Sequence, residues 1–180
     1  MSVLTSIVDR SVSGSFSSDL FFNVRGGAFR YCKNLTSVSF PNATSIGRTA
    51  FYFCSGLTSV SFPNATSIDS YAFYSCSGLT EVSIPKVTSI GTYAFSYCSS
   101  LTSVDIPNAT SIGSYAFYQC NKLTSIYVGT NISTVCTLSD TNAFDNCTSL
   151  TSIYVPASLV DNYKSATNWS TYSSKIKAAP

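Results

Sequence analysis

The chain has 180 residues, the size of one ordinary domain and too short for a large multidomain enzyme. Charged residues make up 10% of it, against roughly 25% in typical soluble proteins, so the polar surface must come from Ser, Thr and Asn. The ten Lys and Arg and the eight Asp and Glu are scattered, which excludes a basic stripe able to bind nucleic acid.

Residues 1–23 differ from the rest of the chain and are predicted to form an N-terminal cap. Val12, Phe16 and Phe21 flank a Ser-Gly-Ser centre, which favours a covering hairpin. The segment has no basic stretch followed by an apolar one, so no secretion signal is expected. No run of about 20 apolar residues occurs in the chain, so membrane insertion is not expected either.

Residues 24–156 contain six copies of a 22-residue repeat, the strongest signal in the sequence. Three positions recur five times at one constant step: Phe29, Phe51, Phe73, Phe95 and Phe117; Cys32, Cys54, Cys76, Cys98 and Cys120; Leu35, Leu57, Leu79, Leu101 and Leu123. The sixth copy has its Phe at Phe144, where the constant step would have placed it at position 139. A five-residue insertion is therefore predicted near 130–142.

Each repeat is expected to contribute one short β-strand. The second repeat reads Leu57-x-x-Val60-x-Phe62, the spacing typical of leucine-rich repeats. Val60 and Phe62 alternate with serines, which is the period of a strand with one buried face. Pro63 has no N–H for strand pairing and marks the end of the strand.

A compact turn is expected on the opposite side of each repeat. Ala50, Phe51 and Cys54 carry apolar side chains at i, i+1 and i+4, which suits a single helical or 3-10 turn. One repeat cannot bury these side chains alone, whereas stacked repeats bury them as continuous columns. The predicted fold is a leucine-rich repeat solenoid, a right-handed coil with a short parallel sheet on the concave side and the turns on the convex side.

Residues 157–180 are predicted to form a C-terminal cap with a short helix. Apolar residues recur there at helical spacing: Leu159, Val160, Tyr163 and Ala166. Trp169, Tyr172 and Ile176 continue the apolar stripe. We expect Trp169 to plug the last coil rather than to serve as a platform for a ligand.

The repeat Ile-Gly-x-x-Ala-Phe-x-x-Cys-x-x-Leu-x-x-Val-x-Phe-Pro resembles the BspA-like, or Treponema-type, class of bacterial leucine-rich repeats. All six copies carry Ala-Phe-x-x-Cys, and five have Pro at the strand end, at positions 41, 63, 85, 107 and 156. The resemblance implies a surface-associated protein used for attachment to host proteins or to other cells in the mouth and gut. Residues 155–164 also resemble the ends of repeat proteins from gut bacteria and their phages, which implies a cytoplasmic or virion-associated alternative.

Catalysis is not expected. The chain has no His, which excludes Ser-His-Asp and Cys-His nucleophiles and histidine metal ligation. Glu81 is the only Glu, and the seven Asp belong to different repeats, so a paired-carboxylate glycosidase site is not expected. Phosphate-binding glycine loops are missing. We predict a protein that is not an enzyme and has no cofactor and no metal.

Two interpretations of the cysteine column stay open. Neighbouring copies such as Cys54 and Cys76 occupy equivalent sites in adjacent coils, near enough for a disulfide or a metal. The favoured interpretation is a reduced, small apolar residue at a tight buried turn. Cys136 lies outside the column, in the insertion, and is expected to be exposed or paired, with Cys147 as the candidate partner.

Asn-x-Ser/Thr sequons occur seven times, three of them at one repeat position, at Asn42, Asn64 and Asn108. A ladder of stacked side chains explains this recurrence better than glycosylation does.

Outward strand positions predict a ligand-binding face on the sheet. Tyr127 and Tyr154 are the expected anchors, because Tyr is enriched at interface hot spots, and Glu81 and Asp105 are the expected polar partners. Three serines share this face: Ser103, Ser125 and Ser152. A solvated face with no partner is an equally good interpretation. A second aromatic set, Tyr71, Tyr93 and Tyr115, is predicted to pack on the convex side.

The leading hypothesis for function is a noncatalytic protein-binding or adhesion module. It would recognise a protein or glycoprotein on a host or cell surface through the concave sheet, with no nucleic acid partner. The alternative is a structural or receptor-binding component of a phage particle. Periodicity makes no prediction of the oligomeric state.

Overall fold

The computed structural model describes residues 3–4, 14–17, 23–24 and 26–180. Its strands are numbered β1 to β15 in chain order, and they form two kinds of ladder. The predicted N-terminal hairpin depends on Val12 and Phe21, which lie outside the described residues. The described backbone of that region pairs in parallel with the repeats that follow, β1 with β3 and β2 with β4.

One ladder consists of strands of two residues each. Its members are β1 Val3–Leu4, β3 Asn23–Val24, β5 Ser45–Ile46, β7 Ser67–Ile68, β9 Ser89–Ile90, β11 Ser111–Ile112 and β13 Thr137–Leu138. All pairs are parallel, and Ile46, Ile68, Ile90 and Ile112 form one buried column. We call this ladder the short ladder.

The other strands form the main sheet, which carries the predicted ligand-binding face. Its members are β2 Gly14–Ser17, β4 Leu35–Ser39, β6 Ser59–Ser61, β8 Glu81–Ser83, β10 Ser103–Ile106, β12 Ser125–Val128, β14 Ser152–Val155 and β15 Ile176–Ala178. Except between β8 and β10, each strand from β4 to β14 pairs with its own equivalent in the next repeat, as in the register Val38 to Val60 to Val82. Parallel pairing of equivalent residues follows from the repeat, because each coil has the same path as its neighbours.

The main sheet is interrupted between β8 and β10, which are adjacent but not paired. Val82 in β8 is only half-buried, whereas its equivalents Val60 and Val104 are buried. A cleft of about 190 Å³ opens here, lined by Val82, Ser83, Ile84, Pro85 and Asp105. The interruption therefore separates the serine-rich part of the sheet from the part that carries the tyrosines.

The side opposite the sheet consists of single hydrogen-bonded turns, which correspond to the 3-10 alternative of the prediction. Ala50 and Cys54 donate to carbonyls three residues earlier, those of Gly47 and Phe51, as in a 3-10 turn. The N–H of Phe51, however, donates to Ala72 O in the next coil at 2.7 Å. Left-handed backbone at Thr49 and Phe53, with φ of 55° and 59°, separates the turns. Alternation between bonds within a coil and bonds to the next coil prevents a helix from forming.

The core is a set of columns parallel to the solenoid axis, as the repeat predicts. The six column phenylalanines from Phe29 to Phe144 are buried, and consecutive rings stack with centroids 5.0 to 5.5 Å apart. Burying one such side chain is worth about 1.5–3 kcal/mol relative to exposure. Each ring packs on the equivalent ring of the next coil, so the apolar core extends along the whole stack of coils.

The six column cysteines are buried, as the favoured interpretation predicts, and no disulfide joins them. From Cys54 onward, each column thiol donates to the carbonyl of the Phe in the preceding coil, at 2.9 to 3.2 Å. The expectation for Cys136 was wrong. This residue is fully buried, its thiol is free, and the Cys147 thiol donates to Phe117 O instead of forming a disulfide.

The insertion is divided around β13. Thr137 pairs with Ser111, whereas the constant step of the repeat would have brought position 133 to this place. In the turns, the N–H of Phe117 bonds to Ala143 O at 2.8 Å, as the N–H of Phe95 bonds to Ala116 O one coil earlier. Ala143 is therefore the equivalent of Ala116, five residues later than the constant step would place it. Four extra residues therefore precede β13, and the fifth lies between β13 and Ala143. The coil accommodates these residues, and both its short-ladder strand and its turn still bond to the preceding coil.

The C-terminal segment contains the predicted short helix and one strand that was not predicted. A 3-10 helix over Ala157–Leu159 leads into α1, Val160–Ser165, and a second 3-10 helix covers Trp169–Lys175. Ile176, expected to continue the apolar stripe of the helix, instead begins β15 and pairs with Ile153. The segment thus makes an incomplete further coil that adds a strand to the main sheet.

Candidate ligand-binding face

The main sheet presents two outward rows of side chains at its C-terminal end. Strand register places Asp105, Tyr127, Tyr154 and Lys177 in one row. Ser103, Ser125 and Ser152 form the second row. Neighbouring strands in a sheet lie about 4.8 Å apart, so the first row spans roughly 14 Å from Asp105 to Lys177. We call this first row the Asp-Tyr-Tyr-Lys row.

Tyr127 and Tyr154 meet on this face, as the repeat predicts for outward positions of adjacent strands. Their ring centroids are 4.6 Å apart, with 23° between the ring planes. Both side chains are half-buried, while Ile126 and Ile153 beside them point into the core. A stacked pair loses little side-chain freedom when it binds a partner, because packing already restricts its rotamers.

The two acidic residues flank the interruption of the sheet. Glu81 is exposed on β8, and Asp105 is exposed on β10 at the edge of the cleft. Partial burial raises the pKa of the Asp105 carboxyl above its ordinary value. The two carboxylates lie on neighbouring strands but in different rows, because Glu81 pairs with Ser59 and occupies the position of Ser103 one coil earlier.

One predicted site residue is not accessible. Ser152 is only 5% exposed, because Lys177 of the unpredicted strand β15 reaches across it and donates from Nζ to Ser152 Oγ at 2.8 Å. Ser103 is exposed and Ser125 half-buried. The accessible part of the predicted site is therefore the Asp-Tyr-Tyr-Lys row together with Glu81, Ser103 and Ser125.

Lys177 is the residue on this face that was not predicted from the sequence. It is exposed and lies opposite Tyr154 across the last strand pair. The alternation Ile176-Lys177-Ala178, which begins close to one repeat length after Ile153, was a signal for a strand at this place. The helical spacing of the residues before it obscured that signal.

The predicted convex tyrosine column is present as a stack. Tyr93 lies between Tyr71 and Tyr115, with centroids 5.0 and 4.8 Å apart. All three residues are half-buried. At one end of the column, Asn142 Nδ2 donates to the Tyr115 hydroxyl at 3.0 Å, and at the other the Arg48 guanidinium lies 5.7 Å from the Tyr71 ring centroid. The stack and its end contacts agree with the packing role predicted for this column.

The recurring Asn position forms the predicted side-chain ladder. Asn64 and Asn108 donate from Nδ2 to Pro41 O and Pro85 O of the preceding coil, each at 2.7 Å. In the third repeat the position is Lys86, which donates to Asn64 Oδ1 at 2.6 Å. These amides therefore already serve as contacts between coils.

Within the described part of the chain, no group of three or more His, Cys, Asp or Glu side chains is placed to hold a metal ion. Among the same residues, no helix combines the length and apolar character needed to cross a bilayer.

The parallel ladders, the stacked core and the constant repeat step define a solenoid of leucine-rich repeats. A family model described as a BspA type leucine rich repeat region matches six copies over residues 23–151 and 136–178. The chain belongs to this family. The match confirms the resemblance noted in the sequence, and repeats of this class generally serve as interaction modules rather than as enzymes.

Solved structures of bacterial repeat proteins have the same fold. A leucine-rich repeat protein from Bacteroides ovatus is 29% identical, with a TM-score of 0.74 over 94% of this chain and 43% of that one. A leucine rich cell surface protein from Faecalibacterium prausnitzii is 28% identical, with a TM-score of 0.60 over 77% of this chain and 46% of that one. The chain thus spans less than half of either protein.

The leucine-rich repeat protein of T. pallidum is 24% identical, with a TM-score of 0.72 over 83% of this chain and 74% of that one, and it supports the fold alone. Among curated proteins, no sequence matches the chain significantly.

Proposed function

We propose that the chain is a noncatalytic binding module that recognises a protein or glycoprotein through the C-terminal half of its main sheet. The observation that carries the proposal is the Asp-Tyr-Tyr-Lys row, in which a stacked tyrosine pair lies between an exposed acid and an exposed base. Tyr is enriched at interface hot spots, and polar or charged residues at the rim of such a patch fix the orientation of the partner.

The composition of the chain supports this choice of surface. Only 10% of all residues are charged, yet both ends of this one row carry a charge. The equivalent row positions earlier in the sheet are Ser39, Ser61 and Ser83. Tyr127, Tyr154 and Lys177 therefore break the serine pattern where a solvated face would have continued it. Opposite charges at the two ends favour a partner with complementary charges in a fixed orientation.

Surface association is part of the proposal. Its support is the family membership together with the similarity to the F. prausnitzii protein, which is described as a leucine rich cell surface protein. A module at a cell surface would present its sheet to host or neighbouring-cell proteins.

The test measures binding of the purified chain to immobilised mucins, extracellular-matrix proteins and bacterial envelopes. Tyr127→Ser and Tyr154→Ser should each lower the affinity at least about tenfold, the scale of a hot-spot contact. Asp105→Asn and Lys177→Gln should act mainly on the association rate, because exposed charges guide encounter.

The matched control is Tyr93→Ser, which removes a tyrosine stacked at a similar distance on the opposite side of the solenoid. It should leave this binding unchanged. Loss of binding in the control as well as in the face variants would contradict the proposal, and so would binding to none of these surfaces.

A further inference from the structure

We propose that a groove on the turn side of the solenoid binds a neutral glycan chain, at a site separate from the Asp-Tyr-Tyr-Lys row. The groove has a volume of about 360 Å³ and runs across four coils. Two columns line it. The first contains Phe53, Ser75, Tyr97 and Gln119, and the second contains Ser55, Ser77, Ser99 and Asn121.

The lining combines aromatic rings with uncharged hydroxyl and amide groups. Tyr97 is 39% exposed and is the one large hydrophobic residue classed as exposed in the described part of the chain. None of the eight lining residues is charged. A sugar ring matches both features of this lining. Its C–H face packs on aromatic rings, and its hydroxyls exchange hydrogen bonds with hydroxyl and amide side chains. A groove without charge favours a neutral chain over an acidic one.

The polar side chains of the groove are available to a ligand, unlike those of other columns. Thr58, Thr80 and Thr124 each donate to the threonine carbonyl of the preceding coil, at 2.9 to 3.1 Å. The side chains of Ser55, Ser77 and the other polar lining residues form no such bond within the described residues. The repeat therefore uses some polar columns to join its coils and leaves this one for solvent or a ligand.

The residues of the first lining column share one backbone conformation. Phe53, Ser75, Tyr97 and Gln119 are all left-handed, with φ of 57° to 61°. For residues other than Gly this conformation costs roughly 1–2 kcal/mol, and Asn tolerates it best. The last repeat has Asn146 at the equivalent position, with φ of 59°. Left-handed backbone belongs to the path of every coil, since Thr49, Tyr71, Tyr93 and Tyr115 have it too, with φ of 55° to 60°. An Asn at a groove position therefore keeps that path.

The first lining column offers a peptide strand no free main-chain donors. The backbone N–H groups of Phe53, Ser75, Tyr97 and Gln119 all donate to the next coil, at 2.8 to 2.9 Å. A peptide strand would therefore find none of these donors free for main-chain pairing, the main source of affinity in strand addition. Coils separated by about 4.8 Å repeat at a spacing comparable to one sugar in an extended glycan, so successive rings could meet equivalent side chains.

The test is calorimetric titration of the whole chain with three neutral hexaoses, of the cellulose, xylan and amylose types, at about millimolar concentration. Hexagalacturonate serves as the acidic probe, and a neutral serine-rich peptide of similar length serves as the peptide probe. We expect at least one neutral hexaose to bind and both other probes to bind at least about tenfold more weakly.

Tyr97→Asn is the decisive variant, because it places at Tyr97 the residue that the last repeat carries at Asn146 in the same backbone conformation. It should fold and should lower the hexaose affinity at least about tenfold, as should Phe53→Asn. Tyr127→Ser, on the main sheet, should leave hexaose binding unchanged, so failure of this proposal is distinct from failure of the proposed protein-binding face. Absence of hexaose binding, equal or tighter binding of either other probe, or full affinity in Tyr97→Asn would overturn the proposal.

Discussion

In the central repeats the turns and the short ladder of each coil find their hydrogen-bond partners at the same positions of the next coil. At the C-terminal end single side chains take the place of those partners. The N–H of Phe95 bonds to Ala116 O at 2.8 Å, as its equivalents do along the column. At the last copy, the N–H of Phe144 bonds to the Tyr172 hydroxyl at 3.3 Å. Tyr172 in turn donates to Thr141 O.

Other bonds at the end follow the same rule. In the short ladder, Gly113 N–H donates to Ile90 O, but Leu138 O accepts from the Asn168 side chain, at 2.7 Å. Trp169 Nε1 donates to Cys136 O at 2.6 Å, and the Cys136 N–H donates to the Tyr163 hydroxyl at 2.9 Å. The described residues contain no buried side-chain polar atom without a partner. Ending a solenoid thus requires specific side chains, while continuing it requires only the repeat.

The largest effect is expected from removing the apolar cover of the last coil. Trp169 is 1% exposed and packs against Phe144 and Tyr163, with ring centroids 6.1 and 5.1 Å away. Trp169→Ala should lower the free energy of unfolding by about 3–5 kcal/mol, measured by urea denaturation. Trp169→Phe keeps most of the apolar contact but leaves Cys136 O without its donor, so an intermediate loss of about 1–3 kcal/mol is expected. A loss below about 1 kcal/mol for Trp169→Ala would show that the end is not closed by this residue.

An effect of intermediate size is expected at alkaline pH. Burial raises the pKa of the Cys136 thiol from 9.0 to about 12. Between these values the unfolded chain loses its thiol proton and the folded chain keeps it, so stability is full below pH 9 and falls as pH rises towards 12. At pH 10 this thiol should account for a loss of about 1.4 kcal/mol.

Denaturation curves of the wild type and Cys136→Ala at pH 8 and pH 10 measure this contribution. The fall in unfolding free energy between the two pH values should be smaller in the variant by that amount. Cys76→Ala, in the central column, should also reduce the fall, since burial raises the pKa of its thiol as well. An unchanged fall in Cys136→Ala would mean that the end is more open to water than the central repeats are.

The smallest effect is expected for one hydrogen bond at the end compared with its counterpart in the repeats. Asn168 has a φ of 67°, so Asn168→Gly removes the donor to Leu138 O without straining the backbone. We expect a loss of about 1 kcal/mol in unfolding free energy. Asn108→Ala, which removes an exposed ladder bond to Pro85 O, should cost less than about 0.5 kcal/mol because water replaces the donor. Equal losses would refute the distinction between the end and the repeats.

The sequence alone determined what depends on the repeat. A repeated pattern makes each residue the neighbour of its own equivalent, and aligning the sixth copy across its insertion does the same for Tyr127 and Tyr154. The Phe, Cys and Leu columns, the strand register and the Tyr127–Tyr154 contact could therefore be predicted. The face and its two anchors followed from strand alternation, which needs no knowledge of the rest of the molecule.

Only the tertiary structure decided what depends on segments without a repeat. The path of residues 157–175 brings β15 onto the sheet, and that strand both adds Lys177 to the Asp-Tyr-Tyr-Lys row and buries Ser152. The same segment covers Cys136, which local sequence had suggested would be exposed. Periodicity predicts contacts between equivalent residues, whereas contacts between unlike segments depend on where the chain turns, and no repeated spacing encodes that.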